Sequence, residues 1–197
     1  QLVNGGVDTG NALLEHGGIE GIACVGSTPV ARTIYETAAA NGKRVQAQGG
    51  AKNHIVVTET ADLDHAARKT VGSAFACAGE RCLANDVAVV EESVYDEFVE
   101  KVVSEAETQV VGSGLDPDTD IGALITPEHE KRVRNFIQTG INEGAELLLD
   151  GRDVIVEGYE DGNFLGPTLF GDVTTDMVLA QEELFGPVLG LMRADDI

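Results

Sequence analysis

A compact apolar run, Ile22 to Val25, and a second strand-like run, Val45 to Gln48, flank one helix-length segment, and that spacing leaves little choice of fold. Ser27 or Thr28 is placed to cap the intervening helix, and Pro29 sits in its first turn, where a missing N–H costs nothing. The helix runs to about Ala40 and stops at Asn41-Gly42. Strand, helix and strand joined by short loops form a parallel α/β unit, because parallel strands need a crossover between them. A short helix over Thr9 to His16 precedes the unit.

Beyond Gly49-Gly50 the pattern changes to that of a second domain. Ile55 to Thr58 reads as a strand, and Asp62 to Phe75 as an amphipathic helix with Leu63, Ala66, Ala67 and Thr70 at helical spacing. Val87 to Val90 is a buried strand, and Val94, Phe98, Val102 and Ala106 form a second helical stripe. Glu128 to Gly144 is a third helix, opened by Thr126-Pro127 and stopped by Gly144. Leu147 to Leu149 and Thr168 to Phe170 read as further strands. There is no internal repeat and no low-complexity segment.

The chain has 197 residues, 43% of them hydrophobic, enough for a real core. Its 34 acidic against 13 basic residues give a net charge of −21, which repels nucleic acid and anionic membrane surfaces. The acids are spread along the chain rather than gathered in a tail. With so few lysines, that spread predicts a salt-adapted, halophilic protein whose carboxylates stay hydrated and screened. No run of eighteen apolar residues exists to span a membrane. Cys24, Cys77 and Cys82 form no paired framework, which predicts a reducing, cytoplasmic setting. Cys77 and Cys82 could bond to each other or ligate a metal, but none of the four histidines shows ligand spacing with them, so no metal site is predicted.

Two stretches carry chemistry. In Gly79-Glu80-Arg81-Cys82, a cysteine follows an arginine and a glycine-bearing turn. The cation favours the thiolate, and the glycine permits a turn sharp enough to expose it. That suits a nucleophile; a structural thiol is the other reading. Val25-Gly26-Ser27-Thr28 lies at a strand-to-helix turn, where free N–H groups and the helix dipole attract phosphate. An ordinary capped helix would look the same.

Taken in order, Val25-Gly26-Ser27-Thr28, Gly49-Gly50-Ala51-Lys52-Asn53-His54, Gly79-Glu80-Arg81-Cys82, Gly166-Pro167-Thr168-Leu169-Phe170 and Glu182-Glu183-Leu184-Phe185-Gly186-Pro187-Val188 resemble the NAD-dependent aldehyde dehydrogenases along the whole chain. Val45-Gln46-Ala47 and the arginine before the cysteine resemble the methylmalonate-semialdehyde branch, which acylates coenzyme A. The resemblance implies an α/β fold. Residues 1–48 would be the later part of a Rossmann-type NAD-binding domain, and 49–197 an α/β catalytic domain. Members of this family are about twice as long or more. Gln1 is not a methionine, and Asp195-Asp196-Ile197 carries no closing signal, so an internal segment of a homo-oligomeric enzyme, dimer or tetramer, is expected.

The resemblance also implies roles. Cys82 becomes the nucleophile that attacks an aldehyde. Its backbone N–H is one oxyanion donor; the other, an asparagine, belongs to a segment upstream of this chain. Gly26 and Ser27 approach the cofactor phosphates. Gly49 stands near the nicotinamide, where relatives often carry serine or threonine. Glu183 holds the nicotinamide ribose, Phe185 packs beside it, Glu182 is a solvated charge and Lys52 is structural. Arg81 either clamps a substrate carboxylate, as bidentate geometry favours, or is a surface charge. Gln48 stands where hydrolytic members have glutamate, and an amide is no general base. Coenzyme A is then the acyl acceptor, unless another residue such as Glu80 activates water and the enzyme is hydrolytic. A non-catalytic acidic scaffold is a third reading, against which Cys82 and Glu183 together stand.

Overall fold

The computed structural model describes residues 1–195. Residues Gln1–Ala51 form one compact unit, and the chain from Lys52 onward forms another.

In the first unit, α1 (Val7–Glu15) leads to β1 (Gly21–Val25), α2 (Thr28–Ala40) and β2 (Arg44–Gln48). β1 and β2 pair in parallel, from Gly21 opposite Arg44 to Val25 opposite Gln48. Ala31 and Ala38 are the buried positions of α2, which packs on β2. Gly42 turns the chain with φ +73°. The neighbouring Lys43 is buried and donates to the carbonyls of His16 at 2.6 Å and Ile19 at 2.7 Å, fixing the link between α1 and β1.

One expectation is corrected at the head of α2. Ser27 occupies the N-cap position, but neither its side chain nor that of Thr28 caps the helix. The Thr28 hydroxyl accepts the Gly50 N–H at 3.1 Å instead. At Thr28 the hydroxyl is thus taken by a backbone donor just beyond the end of β2.

The second unit holds a five-stranded sheet in the order β3-β4-β7-β6-β5: β3 is His54–Val57, β4 Val87–Glu91, β5 Glu146–Leu149, β6 Thr168–Gly171 and β7 Val188–Ala194. All neighbours are parallel except the edge strand β5, which runs antiparallel to β6. The helices are α3 (Leu63–Phe75), α4 (Tyr95–Glu107), α5 (Pro127–Glu143) and the short α6 (Val178–Gln181). The Asp62 side chain caps α3 by accepting from the His65 N–H at 3.0 Å. Thr126 caps α5 through the His129 N–H at 3.1 Å, and Gly144 ends it at φ +99°. Phe98, Val102 and Ala106 of the predicted stripe are buried and share a core with Phe75, Ile137, Phe170, Leu189 and Leu191. Each such large side chain contributes about 1.5–3 kcal/mol on burial.

β7 lies at the centre of the sheet, between β4 and β6, yet it was not predicted. Its run, Val188-Leu189-Gly190-Leu191-Met192, is interrupted by a glycine, which weakens a strand signal. Gly190 is there for packing: an added Cβ would lie 3.1 Å from Val173 Cγ2. Among the described residues, no helix is long and apolar enough to cross a membrane.

Candidate active site

α3 ends in a tight turn that carries the cysteine. Cys77, Ala78 and Gly79 follow one another with φ of 55°, 55° and 69°. Left-handed backbone costs a non-glycine residue about 1–2 kcal/mol, so two such residues in succession must be held from outside. Ala78 is buried, Glu80 N–H closes onto the Cys77 carbonyl at 3.0 Å, and Ala84 N–H onto Arg81 at 3.0 Å. Gly79 lies so close to the Gly186 carbonyl that any Cβ would collide with it. The turn is therefore packed backbone to backbone against the segment that carries Glu183 and Phe185.

Cys82 is exposed at the end of this turn. The Asn53 side-chain amide donates to its carbonyl at 2.8 Å and to that of Ala84 at 2.9 Å. Asn53 is itself held, its N–H donating to Asp86 Oδ2 at 3.2 Å and its carbonyl accepting from Asp86 N–H at 3.0 Å. Cys77 is also exposed and Cys24 half-buried; all three cysteines are free thiols. No group of metal-ligating side chains is brought together among the described residues.

Four consecutive carbonyls, those of residues 182–185, each accept a hydrogen bond from a basic side chain. Lys52 Nζ donates to Glu182 at 2.7 Å, and Arg132 to Glu183 at 3.1 Å and Leu184 at 3.4 Å. His129 Nε2 lies 2.6 Å from the Phe185 carbonyl. A carbonyl only accepts, so Nε2 carries the proton. The His129 and Phe185 rings meet edge to face at 6.2 Å. Phe185 has φ +55°, another left-handed non-glycine residue. These bonds fix the backbone without using the half-buried Glu183 side chain, while the Phe185 ring rests against His129.

Lys52 and Asp86, both largely buried, stand 3.6 Å apart. Burial pulls the Lys52 ammonium below its ordinary value by more than Asp86 lifts it. Burial likewise pushes the Asp86 carboxyl up by more than Lys52 lowers it. Desolvation outweighs attraction in this pair.

Arg81 is not a free surface charge. Its Nη2 donates to the Ser73 carbonyl at 2.7 Å, which anchors it on α3, and its buried Nε has no partner. Glu80 is occupied too: Oε1 accepts the Ile125 N–H at 3.2 Å and lies 3.4 Å from His129 Nε2. A carboxylate so engaged is poorly placed to activate water.

In the first unit, Gly26 and the exposed Ser27 open α2. A Cβ on Gly26 would meet only Val30, at 3.9 Å, so that approach is clear. Gly49 is different. A Cβ there would come within 2.8 Å of Thr28 Oγ1 and 3.2 Å of its Cα, so glycine is required by the packing of residues 49 and 50 on the start of α2. Gln48 ends β2 exposed.

Asn53, Asp86, His129 and Arg132 were not singled out from the sequence. Asn53 stood inside a quoted motif, and His129 follows the Thr126-Pro127 helix start by two residues. Asp86 and Arg132 gave no signal, because their partners are remote in sequence: the Asn53 N–H and the Lys52 ammonium for Asp86, the Glu183 and Leu184 carbonyls for Arg132.

The aldehyde dehydrogenase family model matches residues 1–197. The chain is 48% identical over 196 residues to malonate-semialdehyde dehydrogenase 2 of Shouchella clausii, covering all of this chain and 40% of that protein. It is 45% identical over 197 residues to malonate-semialdehyde dehydrogenase of Bacillus pumilus, again 40% of the relative. Among solved structures, a methylmalonate-semialdehyde dehydrogenase of Sinorhizobium meliloti 1021 complexed with NAD aligns with a TM-score of 0.96 and 46% identity. That match covers 98% of this chain and 40% of the other. Methylmalonate-semialdehyde dehydrogenase of Oceanimonas doudoroffii also gives 0.96, at 42% identity over 99% of this chain and 40% of that one. The chain thus spans about 40% of the length of the curated relatives it matches. A cysteine turn braced against a clamped Glu-Glu-Leu-Phe-Gly-Pro segment, together with a family match over every residue, means that the chain belongs to the aldehyde dehydrogenase family.

Proposed function

We propose that, within a family-length chain, these residues serve an NAD-dependent dehydrogenase that oxidises a small carboxylated semialdehyde and passes the acyl group to coenzyme A. The observation that carries this reading is the exposed Cys82, held on a turn packed against the backbone of the Glu183–Phe185 segment.

The Cys82 thiolate forms a C–S bond to the aldehyde carbon, giving a thiohemiacetal. The Cys82 backbone N–H is the donor this chain offers to the developing oxyanion. Loss of hydride from the adduct leaves a thioester on Cys82. Gly26 and Ser27 at the open start of α2 are suited to the cofactor phosphates, and Glu183 can accept both hydroxyls of a ribose. Phe185 offers a ring beside that ribose, and Gly49 permits close approach. NAD, when bound, supplies the hydride acceptor. Arg81, braced by Ser73, is the clamp for the substrate carboxylate, in keeping with the semialdehyde names of the relatives.

Deacylation separates the acylating from the hydrolytic reading. Gln48 cannot deprotonate water, and Glu80 is engaged by Ile125 and His129. A thiol acceptor needs less help. Mass-spectrometric product analysis at saturating aldehyde and NAD tests this, with coenzyme A present or absent. Acyl-coenzyme A should form in its presence, and only about one equivalent of NADH per site in its absence. Free acid formed over many turnovers without coenzyme A would overturn the acylating assignment.

A further inference from the structure

Phe185 and Cys82 are proposed to serve different halves of one reaction, and the structure links them through a side chain to which neither reading gives a role. Phe185 is held in a left-handed conformation that its Cβ disfavours. His129 supplies the donor to its carbonyl at 2.6 Å and the ring edge against its ring. The same Nε2 stands 3.4 Å from Glu80 Oε1, and Glu80 lies two residues before Cys82. Glu80 in turn accepts the Ile125 N–H, just ahead of the α5 cap. His129 side chain, Glu80 and Phe185 thus connect α5, the cysteine turn and the cofactor-facing segment. The backbone N–H of His129 makes the helix cap with Thr126 on its own, so the side chain is not needed to start α5.

We propose that His129 is a positioning residue: its Nε2–H locks Phe185 in the left-handed conformation and, with Glu80, couples that conformation to the turn that carries Cys82. The expected effect on cofactor binding rests on the NAD reading above; the effect on the backbone does not.

The variants separate the donor from the ring. His129→Phe keeps an aromatic edge and loses the donor. His129→Gln returns an amide N–H at the position of Nε2. Hydrogen exchange of a peptide covering residues 182–188, measured without cofactor in the full chain, should be about tenfold faster in His129→Phe and near the parent rate in His129→Gln. Titration of the family-length protein with NAD should show about tenfold weaker binding in His129→Phe and near-parent binding in His129→Gln. Exchange in β4 and α4 should not change in either variant, which distinguishes a local release from general unfolding. Unchanged exchange over 182–188 in His129→Phe overturns the proposal, as does a His129→Gln variant that melts like the parent yet exchanges like His129→Phe. Should the parent fail to bind NAD while the exchange pattern holds, the cofactor reading falls and the positioning role of His129 stands.

Discussion

The Asn53 side chain donates one hydrogen bond to the carbonyl of Cys82 and a second to that of Ala84, at 2.8 and 2.9 Å. One amide nitrogen thereby fixes the residues on either side of the exposed Leu83 and so the direction in which the thiol leaves the turn. Asn53→Ala removes both donors and should cost about 1–3 kcal/mol in urea unfolding, since the Ala84 carbonyl is left buried. Asn53→Asp is the more informative change. It keeps the shape but turns an acceptor toward two acceptors. It should lower the rate at which iodoacetamide alkylates Cys82 by more than Asn53→Ala does. Equal alkylation rates in parent and Asn53→Asp would show that the bonds do not set the thiol's presentation.

The Lys52–Asp86 pair gives a prediction with a sign. The folded-state Asp86 carboxyl is raised above its ordinary 3.8 because burial outweighs the help of Lys52. A raised carboxyl contributes stability that is present below 3.8 and lost as pH rises through the folded value. At pH 7 the ionised form is therefore unfavourable, and Asp86→Asn, which keeps an oxygen for the Asn53 N–H, should be at least as stable as the parent. The parent should gain on the variant as pH falls from 7 toward 4.5. Lys52 is lowered, so its contribution is present above 10.5 and lost as pH falls through its folded value. Urea midpoints at three pH values decide this. A loss of about 3–5 kcal/mol for Asp86→Asn at pH 7 would mean that attraction, not desolvation, dominates the pair.

Cys82→Ala in the family-length enzyme should abolish aldehyde oxidation and leave NAD binding nearly unchanged. Cys77→Ala should be mild for turnover. Its φ of 55° is tolerated no better by alanine than by cysteine, so Cys77→Gly should raise the melting temperature slightly, by relieving about 1 kcal/mol of strain. Substantial turnover by Cys82→Ala, or none by Cys77→Ala, would place the nucleophile elsewhere.

Periodicity made α3 and α4 legible, because each buries one face that carries Ala67 and Thr70 or Phe98, Val102 and Ala106, while start and stop residues marked α2 and α5. β7 was not legible, because Gly190 is selected by Val173 and so breaks the run that marks a strand. The candidate site divides the same way. Cys82, Glu183 and Phe185, to whose side chains the proposal gives roles, stand in runs that resemble a family. Of the frame around them, Lys52 was read as structural from the resemblance, whereas Arg132 and His129 escaped, since they act on backbone carbonyls some fifty residues away or more. No local pattern encodes such a bond. The close approach of Gly49 to Thr28 was likewise invisible, because it joins residues twenty-one apart.

A net charge of −21 should make the folded state repel itself at low ionic strength. Added salt shortens that repulsion from about 10 Å at 0.1 M to about 3 Å at 1 M. The melting temperature should therefore climb steeply as potassium chloride is raised to molar concentration, with most of the gain complete once exposed carboxylates no longer sense one another. Scans in potassium chloride from 0.05 to about 2 M would check it. A flat profile would remove the basis for expecting a salt-adapted protein.

Gln48→Glu tests the acyl acceptor from the protein's side. Gln48 is exposed at the end of β2, so a carboxylate there keeps its solvation and the fold should tolerate it. If the acylating proposal holds, water attack on a Cys82 thioester lacks a base in the parent, and turnover should depend on coenzyme A. A pre-steady-state burst of NADH should still appear without it, since acylation precedes the slow step. With glutamate in place, hydrolysis should rise. General-base assistance is worth about 10²–10⁴-fold, and a transplanted base should recover a part of that, roughly tenfold or more. The burst amplitude should stay the same while the steady rate after it increases, because only deacylation gains a catalyst. If Gln48→Glu changes the burst and not the steady rate, residue 48 acts on acylation, and the absence of a carboxylate there says nothing about which nucleophile takes the acyl group.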